Sequence, residues 1–408
     1  MNQSSVGLSL WQESVVGQSA VSDQPVAATN NEFVFRSGRQ QVFAQGVFSR
    51  LQIPVETATG CQQDFHRQVK SELARARACG IANPIVVGAI PFDRRQPAEL
   101  HIPLQARVVD NAGATLLELP RIATRKPVSV KNRRSLPEKE RFCQGVQQAV
   151  ANFGLSDIRK AVLSRVLDVE LEERVPAERL FQRLLAQNPS GHHFLLPLAD
   201  GSSFIGASPE LLIHKQGDQI ISNPLAGSAA RQSTVSADEA VSQALLGSGK
   251  DSHEHKLVID EIERLLSPLC EPLSVPAAPS LMSTRAMWHL STLIEGQLKD
   301  SQTSALELAT LLHPTPAVCG VPTRQAHKLI NLIEPFDREL FAGTVGWCDE
   351  QGNGEWVVSI RCGRVYDDRI RLFAGCGIVA DSDPESEWHE TEAKLQTMLR
   401  VLLPEEGQ

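Results

Sequence analysis

The sequence predicts an α+β protein, with large, mostly antiparallel β-sheets and helices packed outside them. Three observations carry this. Short strand-like stretches outnumber helical ones, and they come in adjacent runs such as 160–169, 193–198, 203–206 and 211–215, the order expected of strands that pair with their sequence neighbours. Helical periodicity is confined to separate amphipathic segments. With 42% hydrophobic and only 22% charged residues over 408 positions, the chain has the apolar content for a substantial core.

Taken in order, residues 1–30 are rich in Ser, Gln, Val and Ala and are expected to be flexible. Residues 31–408 are read as one domain with a catalytic core over about 135–402. Residues 31–53 alternate apolar and polar around Ser37, Gly38 and Arg39, which predicts a β-hairpin. Phe65, Val69, Leu73 and Ala76 follow at helical spacing, with Gly80 placed to end the helix. A strand over 84–90 comes next. The polar, proline-bearing stretch 121–137 is the best internal boundary, and Ser135 with Glu138 has the spacing of a capping box for a helix bearing Phe142, Val146, Val150 and Phe153. Further helices are predicted over 176–187, 237–246, 253–266, 305–312, 322–334 and 385–402. No repeat of fixed period is present.

The formal net charge of −8 argues against general nucleic-acid binding, which needs a concentrated basic surface. The one basic run, 121–134, mixes charge with Pro127 and β-branched residues and reads as a solvated linker. Eight scattered cysteines show no paired or zinc-type spacing. Without a secretory signal or a run of ~20 apolar residues, a soluble cytoplasmic protein with reduced thiols and no membrane association is expected.

The most informative residues are Glu387, Glu390 and Lys394 in the stretch EWHETEAK. At ~100° per residue, positions i, i+3 and i+7 fall within roughly 60° of one another on a helix. The segment before them, FAGCGIVADSDP, reads as a strand and a turn, and its Gly375 and Gly377 permit close approach to the backbone. Two carboxylates suit a hard cation, and an ammonium suits an anionic substrate group. Glu254 falls in the first turn of the helix predicted over 253–266, on the side of Leu257, Val258 and Ile262. There it could ligate Mg²⁺, which prefers oxygen donors. It equally suits the start of a helix, where an acid favours the macrodipole. Lys160 opens the apolar strand KAVLSRV, where desolvation would make it a candidate base, and Glu210 in IGASPELL is a candidate acid. Each also fits an ordinary charged residue at a strand edge.

KAVLSR, GASPELL, NPLAGS, KDSHEH, WHL, HPTPAVCG, FAGTVGW, SIRCG, AGCGIVADSDPESEW and ETEAK stand in this order. Together they resemble the successive signature segments of the chorismate-utilising enzymes, over nearly the whole chain and most strongly from Ser135 onward. The nearest resemblance is to isochorismate synthases of the siderophore type, which supply 2,3-dihydroxybenzoate formation. It implies Lys160 as the base that activates water and Glu210 as the acid that protonates the departing 4-hydroxyl. It implies Mg²⁺ on Glu254 and Glu390, with Glu387 reaching it through water. Substrate contacts are implied for Arg361 and Lys394 on carboxylate, for Gly227 and Gly375 through backbone donors, and for His289 near the ring.

Within the resembled family, anthranilate synthases use ammonia and lack the water-activating lysine, whereas Lys160 is present here. Aminodeoxychorismate synthases carry a lysine where Ala226 stands. No glutaminase subunit is therefore expected, and a monomer is the default. Salicylate synthases keep the base, but Val318 and Phe341 resemble the bulky pocket pair of isochorismate synthases, which limits reorientation of the product for pyruvate elimination. The alternatives are a salicylate synthase, a menaquinone-pathway isochorismate synthase, and a non-catalytic chorismate-binding relative. Ser252, Cys376 and Asp381 depart from the family pattern without removing a proposed catalytic group. Cys319 and Cys376 are read as packing residues, since no activating base is placed for either.

Overall fold

A computed structural model describes residues 32–57, 62–111 and 128–402. The flexible start expected over 1–30, and residues 121–127 of the expected linker, lie outside the described residues.

Among the described residues the chain forms a ten-stranded sheet, a nine-stranded sheet and a small three-stranded sheet. Neighbouring strands pair antiparallel, beginning with the predicted hairpin of Glu32–Arg36 and Gln40–Gln45. Period-2 alternation fixes how the layers stack. Phe33 and Phe35 point into the core shared with the nine-stranded sheet, whereas Val34 between them joins Phe181 and Leu399 on the other face. Phe194, Leu195 and Leu196 repeat this pattern. Helices Ala177–Gln187 and Pro384–Leu402 therefore cover one face of the ten-stranded sheet. Ile85–Ile90 in the nine-stranded sheet is buried at every position, consistent with cover on both faces, and the apolar stripe of helix Gln62–Ala78 joins the same core.

The pairing that matters most for the site is that of Lys160–Leu171 with Arg369–Ile378, which runs in register from Arg369 opposite Glu170 to Ile378 opposite Ala161. It sets Lys160 beside the glycine-bearing end of the later strand, from which the chain turns into helix Pro384–Leu402.

Three expectations are corrected. The capping box at Ser135 and Glu138 does not form. Ser135 lies in the strand Val130–Leu136, donates to the Pro137 carbonyl and accepts from Arg165, while Glu138 is itself the residue capping helix Lys139–Phe153, without a side-chain cap. The described part of the expected linker is that same strand, paired with Lys160–Leu171, so the boundary falls inside a sheet. Glu254 is not in a first helical turn. Ser248 caps the helix by accepting from the Asp251 N–H, so the helix runs Gly249–Leu266 and begins four residues before His253. Favourable contact with the helix dipole, confined to the terminal turn, therefore does not explain a buried Glu254.

Candidate active site

The expected site residues meet at one cavity. All but Lys160 and Glu387 line it, together with Val162, Ser228, Phe373 and Cys376. Its free space is about 60 Å³.

Lys160 is fully buried, with Nζ 2.9 Å from Glu254 Oε1. The approach lacks hydrogen-bond alignment. Glu254 reaches this point because Gly377 has no side chain. Its helix is pinned by His255, whose burial lowers its pKa to about 4. The neutral ring bridges the Ala226 carbonyl at 3.1 Å and the Thr292 hydroxyl at 2.7 Å.

Glu210 sits between the strands Ser203–Ser208 and Leu211–Gln216, 2% exposed, with Oε1 unpartnered. Burial raises its pKa to about 7, against the smaller opposing effects of a backbone hydrogen bond near Leu225 and the charges of Lys160, Arg361 and Lys394. A carboxyl that changes protonation near neutrality is suited to proton donation.

Arg361 is buried, and burial lowers its pKa to about 10. Its φ of 53° is a left-handed conformation that costs a non-glycine residue energy and collects at ligand sites. No ion-pair partner of this guanidinium is found among the described residues, although Glu390 and Glu210 exert their charge on it. A buried cation left without a counter-ion calls for an anionic ligand. His289, buried with Nε2 unpartnered, is held neutral by its burial and by the charges of Arg361 and Lys394. Phe341 stacks on Phe373 with ring centroids 5.1 Å apart, and Val318 completes this apolar wall.

On helix Pro384–Leu402, Lys394 Nζ lies 2.6 Å from Glu390 Oε1 and donates to the Gly375 carbonyl at 2.9 Å. The contact recorded for Gly375 is thus through its carbonyl, and a Cβ there would meet Ser164 Oγ at 2.5 Å. Gly227 has φ 78° and faces Asp251. Ser228 donates to Glu390 at 3.1 Å. Glu387, 1% exposed, accepts from Lys250 at 2.6 Å through Oε1, while Oε2 is buried without a partner. An oxygen-only donor set with an unpartnered buried oxygen fits a hard metal ion. In this conformation the described residues form no ready cluster of three metal-ligating groups, and each of the three glutamates is paired with a lysine. Burial raises the thiol pKa of Cys376 well above its ordinary value and that of Cys319 to about 12, in keeping with packing roles.

Residues 104–403 match the family model described as chorismate binding enzyme. The chain belongs to the chorismate-binding enzyme family. Isochorismate synthase EntC of Escherichia coli K12 is 44% identical over 375 residues, covering 91% of this chain and 94% of that protein. Isochorismate synthase DhbC of Bacillus subtilis is 39% identical over 91% and 93%. The crystal structure of a putative 2,3-dihydroxybenzoate-specific isochorismate synthase, DhbC from Bacillus anthracis, superposes with a TM-score of 0.84 at 40% identity, covering 92% and 97%.

Sequence reasoning about this chorismate-binding enzyme missed Lys250, Ser228 and the Arg338–Glu334 pair behind Val318 and Val162. Lys250 had a readable signal, since it stands four residues before Glu254 and so on the same helical face. With the helix predicted to start at His253, it lay outside. No helix among the described residues is long and apolar enough to cross a membrane.

Proposed function

We propose that this chain is an isochorismate synthase of the 2,3-dihydroxybenzoate type, converting chorismate to isochorismate. The observation that carries the proposal is a buried lysine beside Glu254, which lines the cavity, together with an acid of that cavity poised near pH 7, in a chain 44% identical to an isochorismate synthase. A module that only bound chorismate would need neither.

Lys160, acting as the neutral amine, takes a proton from water as the water oxygen bonds to C2 of the ring. The ring double bond shifts, the C4–O bond breaks, and Glu210 protonates the departing hydroxyl, which leaves as water. Substrate and product have the same composition, so the reaction is an isomerisation. Arg361 and Lys394 pair with substrate carboxylate, His289 lies at the ring as a neutral group, and Gly227 and Gly375 hold the backbone close. Glu254 and Glu390, with Glu387 through water, would hold Mg²⁺, which when bound supplies positive charge to the C1 carboxylate. Binding at both ends of the ring orients it between base and acid, and much of the rate enhancement rests on that placement. Val318, with Phe341 braced on Phe373, restricts the turning of isochorismate that pyruvate elimination would need.

The siderophore assignment rests on the names of the relatives EntC and DhbC. The test is Lys160→Ala. Turnover should collapse by at least 10²-fold, the low end for a lost general base, while chorismate still binds in the presence of Mg²⁺. A chorismate-dependent function that survives intact would make the chain a binding protein.

A further inference from the structure

One lysine at this site has no part in the chemistry described above. Lys160 and Lys394, which pair with Glu254 and Glu390, both serve the reaction, whereas Lys250, which pairs with Glu387, does not. We propose that Lys250 is an intramolecular stand-in for the metal. It holds Glu387 while the cation is absent, swings away when the cation arrives, and thereby sets the affinity for the metal. This rests on the assignment of the metal to Glu254, Glu387 and Glu390.

Glu387 is 1% exposed, and a carboxylate that buried needs a positive partner. Lys250 provides one at 2.6 Å, through Oε1 alone. Oε2 is also buried, with the Ser382 hydroxyl and Cys376 thiol beside the carboxylate but no aligned hydrogen bond to this oxygen, so a cation or its bound water can engage it where the single ammonium does not. Exposure separates the three lysines. The side chain of Lys160 is 0% exposed and that of Lys394 13%, whereas Lys250 is 31% exposed and stands in the first turn of its helix. Of these three, Lys250 has the clearest path to water, and its flexible stem lets the ammonium follow it. An ammonium remaining beside a divalent cation would be repelled. Because Lys250 and Glu254 lie four residues apart on one helix, the competitor and a proposed ligand are presented from the same face.

The test uses the full chain without substrate and Mg²⁺ alone as the probe. Lys250→Met and Lys250→Gln are compared with wild type by calorimetric titration and by thermal unfolding with and without the ion. Removing the competing charge should tighten Mg²⁺ binding on the order of tenfold. The metal-free variants should melt below wild type, because Glu387 has lost its partner, and saturating Mg²⁺ should close that gap. In a Glu387→Gln background, Lys250→Met should leave the affinity unchanged. If wild type binds Mg²⁺ and both variants bind it equally or more weakly, Lys250 supports the site and does not compete for it, and the proposal is overturned. If wild type binds no Mg²⁺, the metal assignment itself fails and the proposal falls with it.

Discussion

A Cβ placed on Gly377 would stand 2.0 Å from Glu254 Oε1 and 3.0 Å from Lys160 Cε. The absence of a side chain at this one position therefore allows the Lys160–Glu254 pair to form. Gly377→Ala should fold, because the end of a glutamate can move, but it displaces Glu254 at the cavity and Lys160 behind it. A misplacement of this size costs about 100-fold in kcat/KM. Steady-state kinetics checks this against Gly38→Ala, where nothing lies within 4 Å of the added methyl and activity should not change.

Glu210 links activity to stability through pH. Burial raises its pKa to about 7 from the ordinary 4.5, so between those values the folded chain holds a proton that the unfolded chain has released. Its contribution to stability is complete below 4.5 and is lost as pH rises through about 7. Glu210→Gln cannot acquire the buried charge. It should melt higher than wild type at pH 8, lose that advantage at pH 4, and have little turnover at either. In wild type, kcat/KM should fall as pH rises past about 7. Melting curves at the two pH values and a pH–rate profile check the prediction.

Arg338 and Glu334 form an ion pair in which both side chains are 3% exposed. Arg338 donates to the Val318 carbonyl at 2.8 Å and the Val162 carbonyl at 2.7 Å, and Glu334 accepts from the Ser164 N–H at 2.7 Å. The pair thus ties the loop of Val318 to the strand that begins with Lys160. Arg338→Met leaves Glu334 buried and unpaired and should cost about 3–5 kcal/mol in urea denaturation. The double variant Arg338→Met/Glu334→Gln should cost less than the sum of the single changes, since neither charge is then stranded.

Val318 and Phe341 set the apolar wall of the cavity. Val318→Ala enlarges it, and pyruvate and salicylate should then appear beside isochorismate when chorismate is turned over. An unchanged product mixture would remove Val318 from control of the outcome.

Much of the layered fold was legible because alternation at period 2 and amphipathic helical stripes are local signals. Helix Ala305–Leu312 falls on its predicted residues. The errors lie where two local signals competed. Ser135 has capping-box spacing, but it lies with Leu136 at the end of a strand whose pairing with Lys160–Leu171 is a long-range contact. The helix predicted from His253 in fact starts at Gly249 behind the Ser248 cap, and Lys250 was missed as a result. Of the site, the family motifs indicated which residues meet. They could not indicate that Glu254, Glu387 and Glu390 each pair with a lysine, because the pairs with Lys160 and Lys250 join segments far apart in the chain.

The central claim is that water, activated by Lys160, adds to chorismate and that the reaction stops at isochorismate. The most direct measurement is chromatographic separation of the products formed by purified protein from chorismate and Mg²⁺, without and then with ammonium. Isochorismate as the sole product in both conditions is the predicted result. Anthranilate or aminodeoxychorismate with ammonium, salicylate with pyruvate, or no turnover would contradict it.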